Sequence, residues 1–92
     1  MYSINPTPHD IGKELAKRHK ALRKQLKLSQ AEMAERSGVS LGSLKRFETT
    51  GQISLESLLK LAHLLDRLED FKLVFRPKED LGNIEGLFST KS

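Results

Sequence analysis

The sequence predicts an all-α domain, and three observations carry that prediction. Between Asp10 and Leu26 the apolar residues Ile11, Leu15, Leu22 and Leu26 fall within a narrow arc at 100° per residue, as in an amphipathic helix. Between Ser29 and Glu48 two short segments, each opened by a serine, are joined at Gly38. From Leu55 to Leu68 leucine recurs at helical spacing around more than one face. At 92 residues the chain is one small domain. A domain of that size buries only about 60–65% of its unfolded surface, so a second burial surface would help it.

Residues 1–9, with Pro6 and Pro8, read as a flexible extended arm. Thr7 or Asp10 can cap the first helix, expected over 10–26. His19 shares the arc of the apolar stripe. It is expected at the core edge and not as a ligand, since no second ligand is spaced near it. Lys13, Lys17, Lys20, Lys24 and Lys27 recur every three or four residues opposite that stripe. They read either as a solvated face or as a surface that faces phosphate, the latter only at the C-terminal end of the helix.

Ser29 and Glu32 have the spacing of a capping box, which starts a second helix over 30–37. Ala31 and Ala34 are expected to face inward. Gly38 suits a sharp reversal that needs a left-handed residue. Val39 can then plug the core, and Ser40 can cap a third helix over 41–48. Leu44, Phe47 and Glu48 face inward in this reading. Ser40, Leu41, Gly42, Ser43, Lys45 and Arg46 look outward. Two short helices joined by a glycine turn outline a helix-turn-helix, whose second helix enters the DNA major groove.

Thr49-Thr50-Gly51-Gln52 reads as the following loop. Ser54 caps a fourth helix over 55–66, with Leu55, Leu58, Leu59, Ala62 and Leu65 as its core face. Leu61, Leu64 and Leu68 form a second apolar row. A helix apolar over so wide an arc needs two partners, and a second copy of the chain is the natural second one. From Glu69 the period changes: Phe71, Leu73 and Phe75 alternate with Lys72, Val74 and Arg76 until Pro77. Residues 69–76 read as a strand or a helical turn, with the aromatic and branched content favouring a strand that pairs across a dimer. Residues 77–92 carry Leu81, Ile84, Leu87 and Phe88, and read as a flexible tail or a partner-docking segment.

The run LRKQLKLSQAEMAERSGVSLGSLKRFETTG, followed by SLESLLKLAHLL, resembles the Xre/Cro-type helix-turn-helix regulators, which include phage repressors. The resemblance covers about residues 11 to 68. It rests on Leu22-Arg23, Leu28-Ser29-Gln30, Ala34, Gly38-Val39-Ser40, Leu44, Phe47-Glu48, Gly51 and the leucine-rich fourth helix. It implies a five-helix-type fold like that of lambda repressor, with the DNA-binding domain over 10–68. It also implies that Arg23 pairs with Glu48, and that Gln30 contacts a phosphate or an edge base. The outward residues of the third helix would then read DNA. Arg46 would fork onto guanine and Leu41 would touch a thymine methyl, Gly42 would let the backbone approach, and Lys45 and Ser43 would hold phosphates. Thr49 and Thr50 would offer hydroxyls to the backbone. There are two departures from the family: Lys27 stands where a glycine is usual, and two residues separate Glu48 from Gly51. The segment after the fourth helix is similar to the DNA-binding antitoxin subunits of Hip-type modules. That similarity implies a toxin protein as a partner.

Charge and composition agree with a polyanionic partner. The net charge is +4, and residues 1–53 hold ten Lys and Arg against five Asp and Glu. There is no Cys, which excludes disulfides and thiolate metal sites and suits a reducing cytoplasm. The N-terminus lacks an apolar signal region and no stretch approaches membrane-spanning length, so a cytoplasmic location is expected. No catalytic constellation or cofactor motif is present: His9, His19 and His63 lie far apart, without matching acids. The expected activity is that of a homodimeric repressor on a palindromic operator. The alternative is an antitoxin that binds a toxin and represses their shared operon.

Overall fold

Each α-helix begins where a side-chain oxygen takes over a free backbone amide. The structure, a computed structural model, describes residues 5–78. Thr7 accepts from the Asp10 amide while Asp10 accepts from the Thr7 amide, both at 3.1 Å, and Pro8 follows as the first helical residue. Helix α1 therefore runs Pro8–Gln25, with Thr7 as the cap and Asp10 closing the box. Ser29 and Glu32 build the same reciprocal cap for α2, Gln30–Ser37. Ser40 caps α3, Leu41–Thr50, and Ser54 caps α4, Leu55–Leu64.

The helix ends are set by left-handed residues. Gly38 closes α2 at φ +83° and Gly51 closes α3 at φ +82°. Because the chain reverses only at Gly51, Thr49 and Thr50 belong to the last turn of α3 and not to a loop. Lys27 takes φ +61° in the α1–α2 turn, a left-handed conformation that glycine adopts more readily. Asp66 takes φ +61° just after α4 and ends it two residues earlier than expected.

A line of small and polar residues on α1 decides how the first helix sits. Gly12, Ala16, His19 and Arg23 recur at helical spacing on one face, and Ala16, His19 and Arg23 are buried. Gly12 lies directly on Gly51. A Cβ on Gly12 would come 2.7 Å from the Gly51 carbonyl oxygen, and one on Gly51 would come 2.6 Å from the Gly12 carbonyl carbon. This backbone-on-backbone crossing rotates α1 so that its leucine stripe flanks the seam instead of filling it. Ile11 and Leu26 are consequently 44% and 54% exposed, while Leu15 and Leu22 are half-buried.

The core consists of Ala16, Met33, Ala34, Val39, Leu44, Phe47, Leu61 and Ala62. Three sequence expectations are corrected here. Ala31 is exposed, and Met33, two residues on, is fully buried in its place. Leu61 is also fully buried, so it belongs to the core and not to an outer dimer row. The reason is angular. Leu58 and Leu65 face the core nearly in line on α4, and Leu61 lies only about 60° from Leu58 at 100° per residue. Leu55, placed in the core by its spacing, is 66% exposed because it sits in the first turn of α4, beyond the packed layer.

After α4 the chain forms a 3-10 segment, Leu68–Leu73, with no buried residue. Of the two readings of residues 69–76, strand or helical turn, the favoured strand is not formed: the segment is helical, and no strand occurs among the described residues. Arg67 pairs with Asp70 at 2.9 Å, and Lys72 with Glu69 at 3.5 Å. Both pairs are spaced by three, the period that brings side chains into register in a 3-10 helix but not in a strand. The expectations for the tail, residues 81, 84, 87 and 88 among them, fall outside the described residues.

Candidate nucleic-acid interface

Helix α3 buries one face completely and leaves the other to solvent. Leu44 and Phe47 are 0% and 1% exposed. Gly42, Lys45, Arg46 and Thr49 lie opposite them and are exposed, with Ser40, Leu41 and Ser43 exposed beside them. Every outward residue expected on α3 therefore lies on a single surface. Its partners in the free protein are local. The Ser40 hydroxyl accepts from the Ser43 amide at 3.1 Å and lies 2.9 Å from the Ser43 hydroxyl. Arg46 donates from Nη2 to Gln52 Oε1 at 2.7 Å. Thr50 is half-buried; its hydroxyl donates to the Arg46 carbonyl at 2.7 Å and accepts from the Gln52 amide at 3.1 Å. No side chain extends from Gly42, and a Cβ there would meet nothing within 4 Å.

What fixes this surface is a single carboxylate behind it. The Glu48 side chain is 3% exposed. It accepts from Arg23 Nε at 2.9 Å on one oxygen and from Arg23 Nη2 at 2.9 Å on the other, a bidentate fork. Gln30 Nε2 donates to the same carboxylate at 3.0 Å. His19 Nδ1 lies 2.8 Å away, and an ionised carboxylate only accepts, so the proton resides on Nδ1. Arg23 also donates from Nη1 to the Leu28 carbonyl at 2.8 Å, which holds the α1–α2 turn. Helices α1, α2 and α3 thus converge on one residue, with the His19 ring edge-on to Phe47 at 5.5 Å.

The electrostatics follow from this crowding. Burial pushes the Glu48 carboxyl up. The hydrogen bonds from Arg23 and Gln30, the charge of Arg23 and the hydrogen bond from His19 outweigh that and hold it below the usual range. Burial drives His19 the other way, below its ordinary value, against the pull of Glu48. Its Nε2 is buried without a hydrogen-bond partner among the described residues, so a second proton there would have no acceptor. His19 is therefore neutral, in accord with the core-edge role its position suggests.

Gln30, expected at the DNA surface, spends its amide on Glu48 and is half-buried. Sequence reasoning missed His19 as a partner of Glu48, missed Gly12 altogether, and placed Gln52 in a loop without seeing it as a partner of Arg46. The first two carry a legible signal: Gly12, Ala16, His19 and Arg23 share one face at i, i+4, i+7 and i+11. Gln52 carries none, because its contact depends on the turn geometry after Gly51. Among the described residues no cluster of His, Asp and Glu is placed to hold a metal ion.

The sequence matches the model of the helix-turn-helix family over residues 20–71. The chain belongs to the helix-turn-helix family. The family is one of DNA-binding transcriptional regulators, and the all-helical architecture is that of its lambda-repressor-like members. No curated protein and no solved structure matches this helix-turn-helix chain. The matched span takes in α2, α3, α4 and the Glu48 cluster apart from His19. It leaves the first two-thirds of α1, with Gly12, Lys13 and Lys17, outside. No helix among the described residues is long and apolar enough to cross a membrane.

Proposed function

We propose that the protein is a sequence-specific transcriptional repressor that binds a pseudo-palindromic operator as a homodimer. The observation that supports this most is the surface of α3: an arginine and a lysine beside an unobstructed glycine, backed by a rigid charge cluster. In this reading Arg46 leaves Gln52 to fork onto guanine O6 and N7, and Leu41 meets a thymine methyl. Ser40, Ser43, Lys45, Thr49 and Thr50 take phosphates, with Gly42 at the closest approach. Gln30 contributes by holding Glu48 and, from the first turn of α2, by offering its free amides to a phosphate. Arg46→Ala should cost about 1–3 kcal/mol on an operator selected from random duplexes and relax base choice at one position. Undiminished affinity in a binding titration would show that the reading face lies elsewhere.

Dimerisation is supported by the apolar end of the chain. Leu68, Leu73, Val74 and Phe75 are 38%, 63%, 53% and 101% exposed, with Leu64 and Phe71 half-buried behind them. Covering such side chains is worth about 25 cal/mol per Å² of apolar area. A symmetric pair would set two α3 helices about 34–36 Å apart on one DNA face. Leu73→Asp with Phe75→Asp should give folded monomers that bind the operator weakly, as read by sedimentation at micromolar concentration. Leu64 is left intact in that variant because it packs against the core. A wild-type monomer binding without cooperativity would overturn the dimer. The antitoxin reading rests on the segment after α4, which is a 3-10 helix and not the strand that carried the resemblance, and on Leu81, Ile84, Leu87 and Phe88, which lie outside the described residues; no described contact favours it over the repressor.

A further inference from the structure

Resting on the DNA-binding reading above, we infer that the middle of α1 forms a second phosphate-binding wall, in which Lys17 and Lys20 hold one DNA strand beside α3. The row Lys13, Lys17, Lys20 and Lys24 lies opposite the leucine stripe, which by itself suggests that it points away from the rest of the protein. The packing shows otherwise. The face of α1 that meets α3 is the line Gly12, Ala16, His19 and Arg23, and at 100° per residue the lysines lie about a quarter turn from it. The row therefore borders the α1–α3 seam.

One contact and one groove fix the placement. Lys13 Nζ donates to the Thr49 carbonyl at 3.0 Å, which puts the start of the row at the outer end of α3. Beyond it an open groove runs between the helices, lined by Lys13, Glu14, Lys17, Lys20 and Glu48. Neither acid in that groove neutralises the lysines. Glu14 is paired with Arg18 at 2.7 Å, and Glu48 is committed to Arg23. Lys17 and Lys20 are exposed and have no acidic partner among the described residues. Two uncompensated ammonium groups about one helical turn apart thus stand beside the helix that faces the bases. A duplex seated on Gly42, Arg46 and Thr49 has a sugar-phosphate strand along each flank of α3. The flank that bears Glu48 is the one this groove borders. Lysine serves such a strand as a point charge, without sequence preference.

The test is a salt titration with the full chain. The probes are a random-sequence duplex and the selected operator. The variants are Lys17→Gln with Lys20→Gln, the charge-preserving Lys17→Arg with Lys20→Arg, and a control of equal charge change, Lys60→Gln with Lys72→Gln. Each phosphate contact contributes about 0.9 to the slope of log K against log salt, so the glutamine pair on α1 should lower the slope by about 1.8 per bound protomer. The preference for operator over random duplex should stay unchanged, the arginine pair should restore the slope, and the control should leave it near wild type. An unchanged slope for the α1 pair, or an equal fall for the control, would overturn the second wall while Arg46→Ala still reports base reading. A wild type that binds neither duplex would overturn the DNA-binding reading and this inference with it.

Discussion

Replacing Glu48 by alanine should cost about 3–5 kcal/mol, the range for breaking a buried ion pair and leaving its partner charge uncompensated. The Arg23 guanidinium is buried with both of its Glu48 bonds at 2.9 Å, and alanine offers neither oxygen. Gln30 and His19 lose their acceptor in the same step. For a domain whose total stability is of order 5–15 kcal/mol, most molecules should be unfolded on mild heating, and urea melts measure the loss directly. Glu48→Gln, which keeps the shape and one acceptor, should fall between alanine and wild type. A Glu48→Ala protein that melts like the parent would show that the cluster does not hold the three helices. The same cluster sets a pH dependence. His19 and Glu48 both titrate lower in the folded chain than outside it, so both contribute stability above their ordinary values of 6.5 and 4.5. Stability should decline as pH falls below about 6.5 through protonation of His19, then more steeply below about 4.5 as Glu48 takes up a proton. A flat profile across that window would contradict the arrangement.

The second large effect is expected at Gly51. Its φ of +82° alone costs a residue with a Cβ about 1–2 kcal/mol. The new methyl would also stand 2.6 Å from the backbone of Gly12, and overpacking of that kind typically adds about 1–3 kcal/mol. Gly51→Ala should therefore lose about 2–5 kcal/mol. Gly38 provides the internal comparison, with φ +83° but open space around it, so Gly38→Ala should cost only the conformational part. Equal melting temperatures for the two variants would mean that the α1–α3 crossing yields without cost.

Local signals were read well from the sequence, and a shared helix face was read less well. Serines before helical runs and glycines after them are satisfied or violated within four residues, so Ser29, Ser40, Ser54 and Gly38 mark their helix ends directly, while Gly51 reads as part of a loop although it closes α3. The outward face of α3 was legible for the same reason: Leu44 and Phe47 fix its inward side. The sequence misled where apolar count and actual packing diverge. On α1 the leucine stripe outweighs Gly12 and Ala16 in hydrophobicity, yet the small residues decide the contact because they admit another backbone. On α4, apolar residues occupy so much of the circumference that spacing alone cannot separate Leu61 in the core from Leu55 outside it. At Phe71 to Phe75 the alternation suited a strand, but no neighbouring strand is present among the described residues to pair with it.

The division of labour on α3 bears on how such a protein can change its target. Positions 19, 23, 30 and 48 form a closed set in which a single replacement strands the others, so they can drift only together. Positions 42, 45 and 46 carry no comparable burden, since their side chains contact nothing deeper than Gln52. On the proposed reading of α3, operator preference is therefore separable from folding. Gly42 is the clearest opening: a Cβ there would meet nothing within 4 Å in the free protein, and alanine would improve helix propensity by roughly 1 kcal/mol. On the proposed DNA-binding reading, a side chain at position 42 would exchange the closest approach of the backbone for a new contact, with the free helix strengthened by the same change.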